Sequence, residues 1–162
     1  GNALGLKGYG TTLISGDISG TGTLAKADTG TATLSGANTY TGLTTVTGGT
    51  LRIESATALG STSAGTTVSA GGTLALGGPG TTFAAEALTL NGAGASGVGA
   101  LQNAAGDNTL VGAVSLASDT AIGAAAGTTL TLQGVVSGTA ATNDLAKVGD
   151  GTLVLAAANT YQ

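Results

Sequence analysis

The 162 residues include 31 glycines and one proline, carry 7% charged side chains and a net charge of −4, and lack cysteine and histidine. This excludes collagen-like and proline-rich sequence, disulfides, thiol chemistry and thiolate metal sites. With Lys7, Lys26, Arg52 and Lys147 scattered, it also excludes a basic surface for nucleic acid or an anionic membrane.

Hydrophobic residues make up 41% of the chain, almost all Ala, Leu and Val, so the low-hydropathy, high-charge signature of disorder is missing. Such small side chains suit a narrow, regularly repeated cross-section. In chain order, short runs of Thr, Val, Leu and Ile between glycines predict strands at 11–15, 22–26, 31–35, 43–47, 50–54, 66–69, 73–76, 86–90, 98–102, 109–116, 128–132, 135–137, 144–147 and 151–155. Alternation sets Val46, Leu74 and Leu76 on one face against Thr45, Thr47, Thr73 and Ala75 on the other. Gly48-Gly49, Gly71-Gly72, Gly77-Gly78-Pro79-Gly80 and Asn91-Gly92 are turn chemistry. Glycine costs a helix about 1 kcal/mol per interior position, and the one segment with helical character, 121–126, reads as loop. No apolar run approaches the roughly 20 residues of a membrane helix. No charged-then-apolar leader opens the chain, as expected of a mature or excised piece if the protein is exported.

Two periods run through the sequence. Leu24, Val46, Val68 and Leu90 recur at 22 residues, and Ile14, Leu34, Ile53 and Leu76 at 20, 19 and 23. Leu110 and Leu132 extend the series, while Val98, Val114 and Ile122 fit it less well. Such a period predicts a parallel β-solenoid, with about seven rungs stacked ~4.8 Å apart into a rod of ~30–35 Å. The longer period is 121 residues: Leu24-Ala25-Lys26 returns as Leu145-Ala146-Lys147, and Ala37-Asn38-Thr39-Tyr40 as Ala158-Asn159-Thr160-Tyr161. Ile18-Ser19-Gly20 returns as Val136-Ser137-Gly138, the drift falling in segment 140–144. The expectation is one solenoid segment, 1–162, with the Asn–Tyr element marking a recurring corner.

These residues resemble the autotransporter-associated β-strand repeat, found in passenger regions of Gram-negative autotransporters and related large surface proteins. The first copy reads Leu24, Lys26, Gly30, Leu34, Ser35, Gly36, Asn38, Thr39, Tyr40, Thr41, Gly42, Thr45, Val46, Gly49 and Leu51; the second, Leu145, Lys147, Gly149, Gly151, Leu153, Leu155, Asn159, Thr160 and Tyr161. The first departs from the pattern at Asp28 and Ala32, and the second at Ala156-Ala157. The resemblance implies a right-handed parallel β-helix, secreted or at the bacterial surface, acting as a stalk or adhesin.

Catalytic and cofactor chemistry has little to stand on. No G-x-S-x-G elbow occurs, and a glycan-active β-helix needs clustered carboxylates, for which Asp17 with Asp28, or Asp144 with Asp150, are the candidates. Solvated turn residues are the simpler reading. Gly77-Gly78-Pro79-Gly80 lacks the aspartate of a calcium roll, and Asp107-Asn108 and Asn143-Asp144 are pairs of oxygen ligands, no more. No metal site or cofactor is expected. Gly94 to Gly99 lacks the helix and lysine of a phosphate loop. An ice-binding threonine array needs T-x-T on successive rungs; 31–33 and 45–47 have it, and Thr66-Thr67-Val68 breaks it.

Asn38 and Tyr40, with Asn159 and Tyr161, are the most distinctive side chains. They read as a folding element rather than a sugar-binding site, because a folding device is repeated where a site is placed once. The reading is a non-enzymatic stalk or adhesin, with an end-to-end filament of solenoids as the alternative. The expected partners are a second copy or a ligand on a neighbouring cell surface, with no nucleic acid and no membrane insertion by this segment.

Overall fold

The computed structural model describes residues 1–140 and 143–161. Every strand pairing among them is parallel. Strands within a ladder hydrogen-bond to the equivalent strands one turn earlier and one turn later, and those at its ends to one of the two, so the chain is a β-solenoid of about seven rungs, as the sequence predicts.

The coil has three sides. Side A is the ladder Leu4–Leu6, Leu24–Lys26, Thr44–Val46, Thr66–Val68, Leu88–Gly92, the first part of Val114–Ala124, and Val136–Gly138. Side B is Thr11–Ile14, Thr31–Leu34, Gly49–Ile53, Gly72–Leu76, Leu101–Asn103, the second part of Val114–Ala124, and Leu145–Val148. Side C is a ladder only in the last four rungs: Thr82–Phe83, Asn108–Leu110, Thr129–Leu132 and Thr152–Leu155. In the first three rungs the same side is irregular chain near 16–20, 36–40 and 56–60, joined by single bonds such as Thr39 N–H to Ile18 O at 2.8 Å and Ser61 N–H to Tyr40 O at 2.8 Å.

Period-2 alternation turns alternate residues of each strand inward, and the parallel register stacks them in columns. Ile14, Leu34, Ile53 and Leu76 form one on side B. Val46, Val68, Leu90 and Leu116 form one on side A, and Phe83, Leu110, Leu132 and Leu155 one on side C. The interior members are almost wholly buried, each worth about 1.5–3 kcal/mol of apolar burial. The inward assignment of Val46, Leu74 and Leu76 holds, all being fully buried.

The register corrects several expectations. Leu24 does not share the column of Val46; it lies beneath Thr44, and Lys26 occupies the slot beneath Val46. A lysine hides in an apolar column because its long stem packs inward while its ammonium reaches the turn. Leu110 and Leu132 do pair, but on side C, whereas Val114 belongs to side A and Ile122 to side B. The predicted strand 109–116 is two strands on two sides, and 121–126 is strand as far as Ala124. Val98 lies outside any strand, after a 3-10 turn at Ala95–Gly97 in which Ser96 has φ 53°. Strands Leu4–Leu6 and Thr82–Phe83 have no counterpart among the predicted ones. The drift segment 140–144 includes 141 and 142, which lie outside the described residues, as does Gln162.

The fifth rung, from Leu88 to Val114, is the longest of the side-A spacings because it carries the 93–100 loop. That loop folds over the outside of side B: Thr73 Oγ1 donates to Gly99 O at 2.8 Å and accepts from Ala95 N–H at 2.8 Å. Thr73 and Ala75, outward by alternation, are buried beneath it.

Candidate functional site

The chemistry-bearing side chains concentrate at the corners between sides, and what they do there is hold one rung to the next. In the first repeat copy, Lys26 ends its side-A strand pointing inward and is 2% exposed. Its ammonium donates to Ala27 O at 2.6 Å, Asp28 O at 2.9 Å and Gly48 O at 3.1 Å, the last belonging to the rung above. Burial lowers its pKa from the usual 10.5, and the nearby Asp28 opposes that shift. Asp28, with φ 59°, returns a bond to the rung below, its Oδ2 accepting from Gly8 N–H at 3.0 Å.

Asn38 clasps three rungs. Its Oδ1 accepts from Ile18 N–H at 2.8 Å below, and its Nδ2 donates to Ala58 O at 2.5 Å above. Tyr40 is buried, its hydroxyl 2.7 Å from Thr44 Oγ1, and burial raises its pKa to about 12. Two motif glycines are needed because rungs approach so closely: a Cβ at Gly36 would run into the Gly16 carbonyl, and one at Gly42 into the Gly22 carbonyl. Gly49 combines φ 62° with a backbone pressed against Asp28 and Gly30. Leu34, Val46 and Leu51 are core, as is Leu24.

The second copy repeats the chemistry at the other end. Lys147 donates to Gly149 O at 2.5 Å, the same two-residue reach that joins Lys26 to Asp28 O. Asn159 Oδ1 accepts from Val136 N–H at 2.8 Å, as Asn38 does from Ile18. Its Nδ2 turns back to Ala157 O at 3.0 Å in place of a rung above. Leu145 and Tyr161 are partly buried against the core.

The two copies do not sit on the same side, which corrects the expectation of one recurring corner. Leu24–Lys26 is on side A, while Leu145–Val148 pairs with 120–123 on side B. Thr31–Leu34 is on side B, while its equivalent Thr152–Leu155 is on side C. Asn38 stacks on Ile18 in side C, while Asn159 stacks on Val136 in side A. Side-A partners lead from Leu24 through Thr44, Thr66, Leu88 and Val114 to Val136, which is five rungs, and the motif restarts one side further on. The recurrence at 121 residues is therefore five turns and one side.

The carboxylates are placed as clips. Asp17 Oδ1 accepts from Ala37 N–H at 2.7 Å, Asp107 Oδ1 from Thr129 N–H at 2.7 Å, and Asp119 Oδ1 from Asp144 N–H at 3.1 Å, each reaching an adjacent rung. Asp17 and Asp28, weighed as a catalytic pair, each engage a different backbone amide. Among the described residues no three His, Cys, Asp or Glu side chains gather as a metal site would require. No helix among them is long and apolar enough to cross a membrane.

Sequence reasoning missed two interior polar features, having named Asn108 only as half of an oxygen-ligand pair. Asn103 and Asn108 close the corner between sides B and C: Asn108 Nδ2 donates to Asn103 Oδ1 at 2.7 Å, and Asn103 Nδ2 to Gly106 O at 2.7 Å and Thr129 O at 3.2 Å. Asn103 ends a side-B strand as Lys26 ends a side-A strand, so a polar residue closing an apolar run was the available signal. Glu86 is the other. It is 3% exposed, its Oε1 accepts from Thr66 Oγ1 at 2.9 Å, and its Oε2 has no hydrogen-bond partner. Burial raises its pKa, with the Thr66 bond opposing. It lines a cavity of about 10 Å³, beside Phe83, Leu59 and Gly60, at the lower limit of the roughly 10–15 Å³ that holds one water. Nothing in the local sequence marks it.

No curated protein and no solved structure matches this chain. A family model, the passenger-associated-transport-repeat, does match, and the stretches similar to it are residues 24–53 and 145–162, the two segments whose lysines, asparagines and glycines join the rungs.

Proposed function

We propose that this segment is a non-enzymatic stalk in a secreted or surface-held passenger, giving length and stiffness. The observation that carries the reading is the use of the motif side chains: Lys26 and Asn38 are buried and bonded to neighbouring rungs, and Tyr40 is buried with its hydroxyl on Thr44, so the most distinctive residues are spent on cohesion. Neighbour-to-neighbour stability is what a solenoid of extendable length uses. The passenger repeat supports export to or beyond the cell surface.

One observation favours an adhesin as a second reading. The outward positions of side A form an uninterrupted column of small hydroxyls through Thr45, Thr67, Thr89, Ser115 and Ser137. One residue beyond that register Ser69 N–H donates to Val46 O at 2.9 Å, which sets Ser69 beside Thr47, so the T-x-T pattern that looks broken at 66–68 continues as Thr67 and Ser69. An uncharged hydroxyl face fits a neutral glycan. The test is a glycan-binding screen with the immobilised chain, repeated with Thr45, Thr67 and Thr89 changed to Ala. A stalk shows no saturable binding. Binding lost in the triple variant, with melting unchanged, replaces the stalk by the adhesin.

A further inference from the structure

Among the described residues, Glu86 Oε2 is the one buried side-chain nitrogen or oxygen without a hydrogen-bond partner. Its place in the coil is unusual as well. Gly22, Gly42, Ala64, Glu86, Gly112 and Gly134 each stand two residues before a side-A strand. That slot excludes most side chains: a Cβ at Gly42, Gly112 or Gly134 would run into the carbonyl of the slot residue one rung below. Glu86 enters it through a tight turn, its N–H donating to Ala84 O at 2.7 Å, and its carboxyl lies inside the coil. The corner itself therefore has no need of an acid.

The rung beneath supplies no side chain to meet that carboxyl. Gly60 lines the same cavity and is pressed against the Tyr40 ring, where a Cβ would fall 3.0 Å from a ring carbon. The space left over is the cavity of about 10 Å³, walled by Ile53, Leu59, Phe83 and Leu110. Exposed Ala56 and Thr57 also line it, which gives it a mouth at the surface. A wholly apolar cavity stays dry, whereas a polar one of roughly 10–15 Å³ holds a water that finds about two to four partners. Glu86 Oε2 is one partner. Thr57 Oγ1 and the Leu59 and Gly60 carbonyls, none of them bonded elsewhere among the described residues, are the others within the lining.

We infer that this cavity is a binding site for a single ordered water, held by Glu86 Oε2 and by polar atoms of the 57–60 segment. The acid has either a proton to donate or a lone pair to fill, and the water serves both. Burial favours the neutral acid, which has no charge to hold a cation. The site lies where the irregular third side gives way to the ladder. Residues 56–60 belong to the third rung and Glu86 to the fourth. Asn38 ties the second rung to the third through Ala58 O, and Ala84 N–H reaches from the fourth to Ala56 O at 3.0 Å. The water adds a second tie at that step, in the place of the polar side chain that clips the earlier rungs.

The test counts long-lived waters by magnetic relaxation dispersion of the water oxygen in wild type, Glu86→Leu and Glu86→Gln. Loss of a single water is expected in Glu86→Leu, which has no polar atom to offer the cavity. No loss is expected in Glu86→Gln, which offers a carbonyl and an amide. Equal counts in all three overturn the inference, as does an equal loss in both variants, which would report a loosened fold and not a lost site. If Glu86→Leu does not fold, a crystal structure of the wild type decides. A water within hydrogen-bonding distance of Oε2 is expected, and an empty cavity overturns the inference. Melting raised by sodium chloride but not by tetramethylammonium chloride at equal strength would put a cation in the site and overturns it too.

Discussion

The first three rungs and the last four close the same third side by different means. Early in the chain, side C is irregular and is held by side chains: Asp17 to Ala37, Asn38 to Ile18 and Ala58, and Ser55 Oγ to Gly36 O at 2.6 Å. Later it is a four-stranded parallel ladder with an apolar column of Phe83, Leu110, Leu132 and Leu155. The difference shows that a solenoid side needs its backbone groups paired across rungs but does not need strands to do so. A short polar side chain reaching ~20 residues along the chain substitutes for a ladder bond.

The largest break in this comparison should come from the side-A column, which runs through both halves. Val46→Asp places a carboxylate in a fully buried column, against Val68 and the stem of Lys26, whose ammonium is committed to three carbonyls at the turn. Loss of the cooperative melt by circular dichroism is expected, whereas Thr45→Asp, one residue away and outward, should shift stability by about 0.5 kcal/mol or less.

Next is the side-chain closure itself. Asn38→Ala removes bonds to two rungs and leaves Ile18 N–H and Ala58 O without that partner, a loss of about 2–4 kcal/mol in denaturant unfolding. Asn159→Ala removes one inter-rung bond, in a partly exposed position, and should cost about 1 kcal/mol. Equal costs would show that the rung above Asn38 adds nothing.

A smaller effect isolates the junction where the irregular side gives way to the ladder. Glu86 sits there with its folded pKa raised above the ordinary 4.5. The stability it contributes is therefore fully present below that value and is lost as pH rises through the folded pKa. Tyr40 is the titratable group facing it, and it stays neutral throughout the range because its own pKa is about 12. Melting temperatures of wild type should fall as pH rises above 4.5, relative to those of Glu86→Gln, with the gap closing in acid. Parallel curves would mean that Glu86 ionises as freely in the fold as out of it.

What the sequence made legible follows from which signals are local. The column Ile14, Leu34, Ile53, Leu76 could be read in register because each member is aliphatic and ends a strand. In the neighbouring column Val46, Val68 and Leu90 were in register, and only Leu24 was misplaced, by two residues, because Lys26 occupies an inward slot that composition assigns to solvent. Thr82–Phe83 is only two residues long, too short for alternation to appear. The change of side between motif copies was not legible at all. It depends on the length of every rung in between, including the loop at 93–100, and identical text carries no record of that sum.

The aspartate clips have a consequence for the surroundings the rod can tolerate. Four of the eight acidic residues hold backbone amides at corners, and among the described residues the one ion pair is the half-exposed Arg52–Glu54 contact at 2.8 Å. Screening acts on exposed ion pairs and on charge separated by more than a few ångströms, and very little of this molecule's cohesion is of that kind. Its melting should be nearly the same in dilute buffer and in molar sodium chloride.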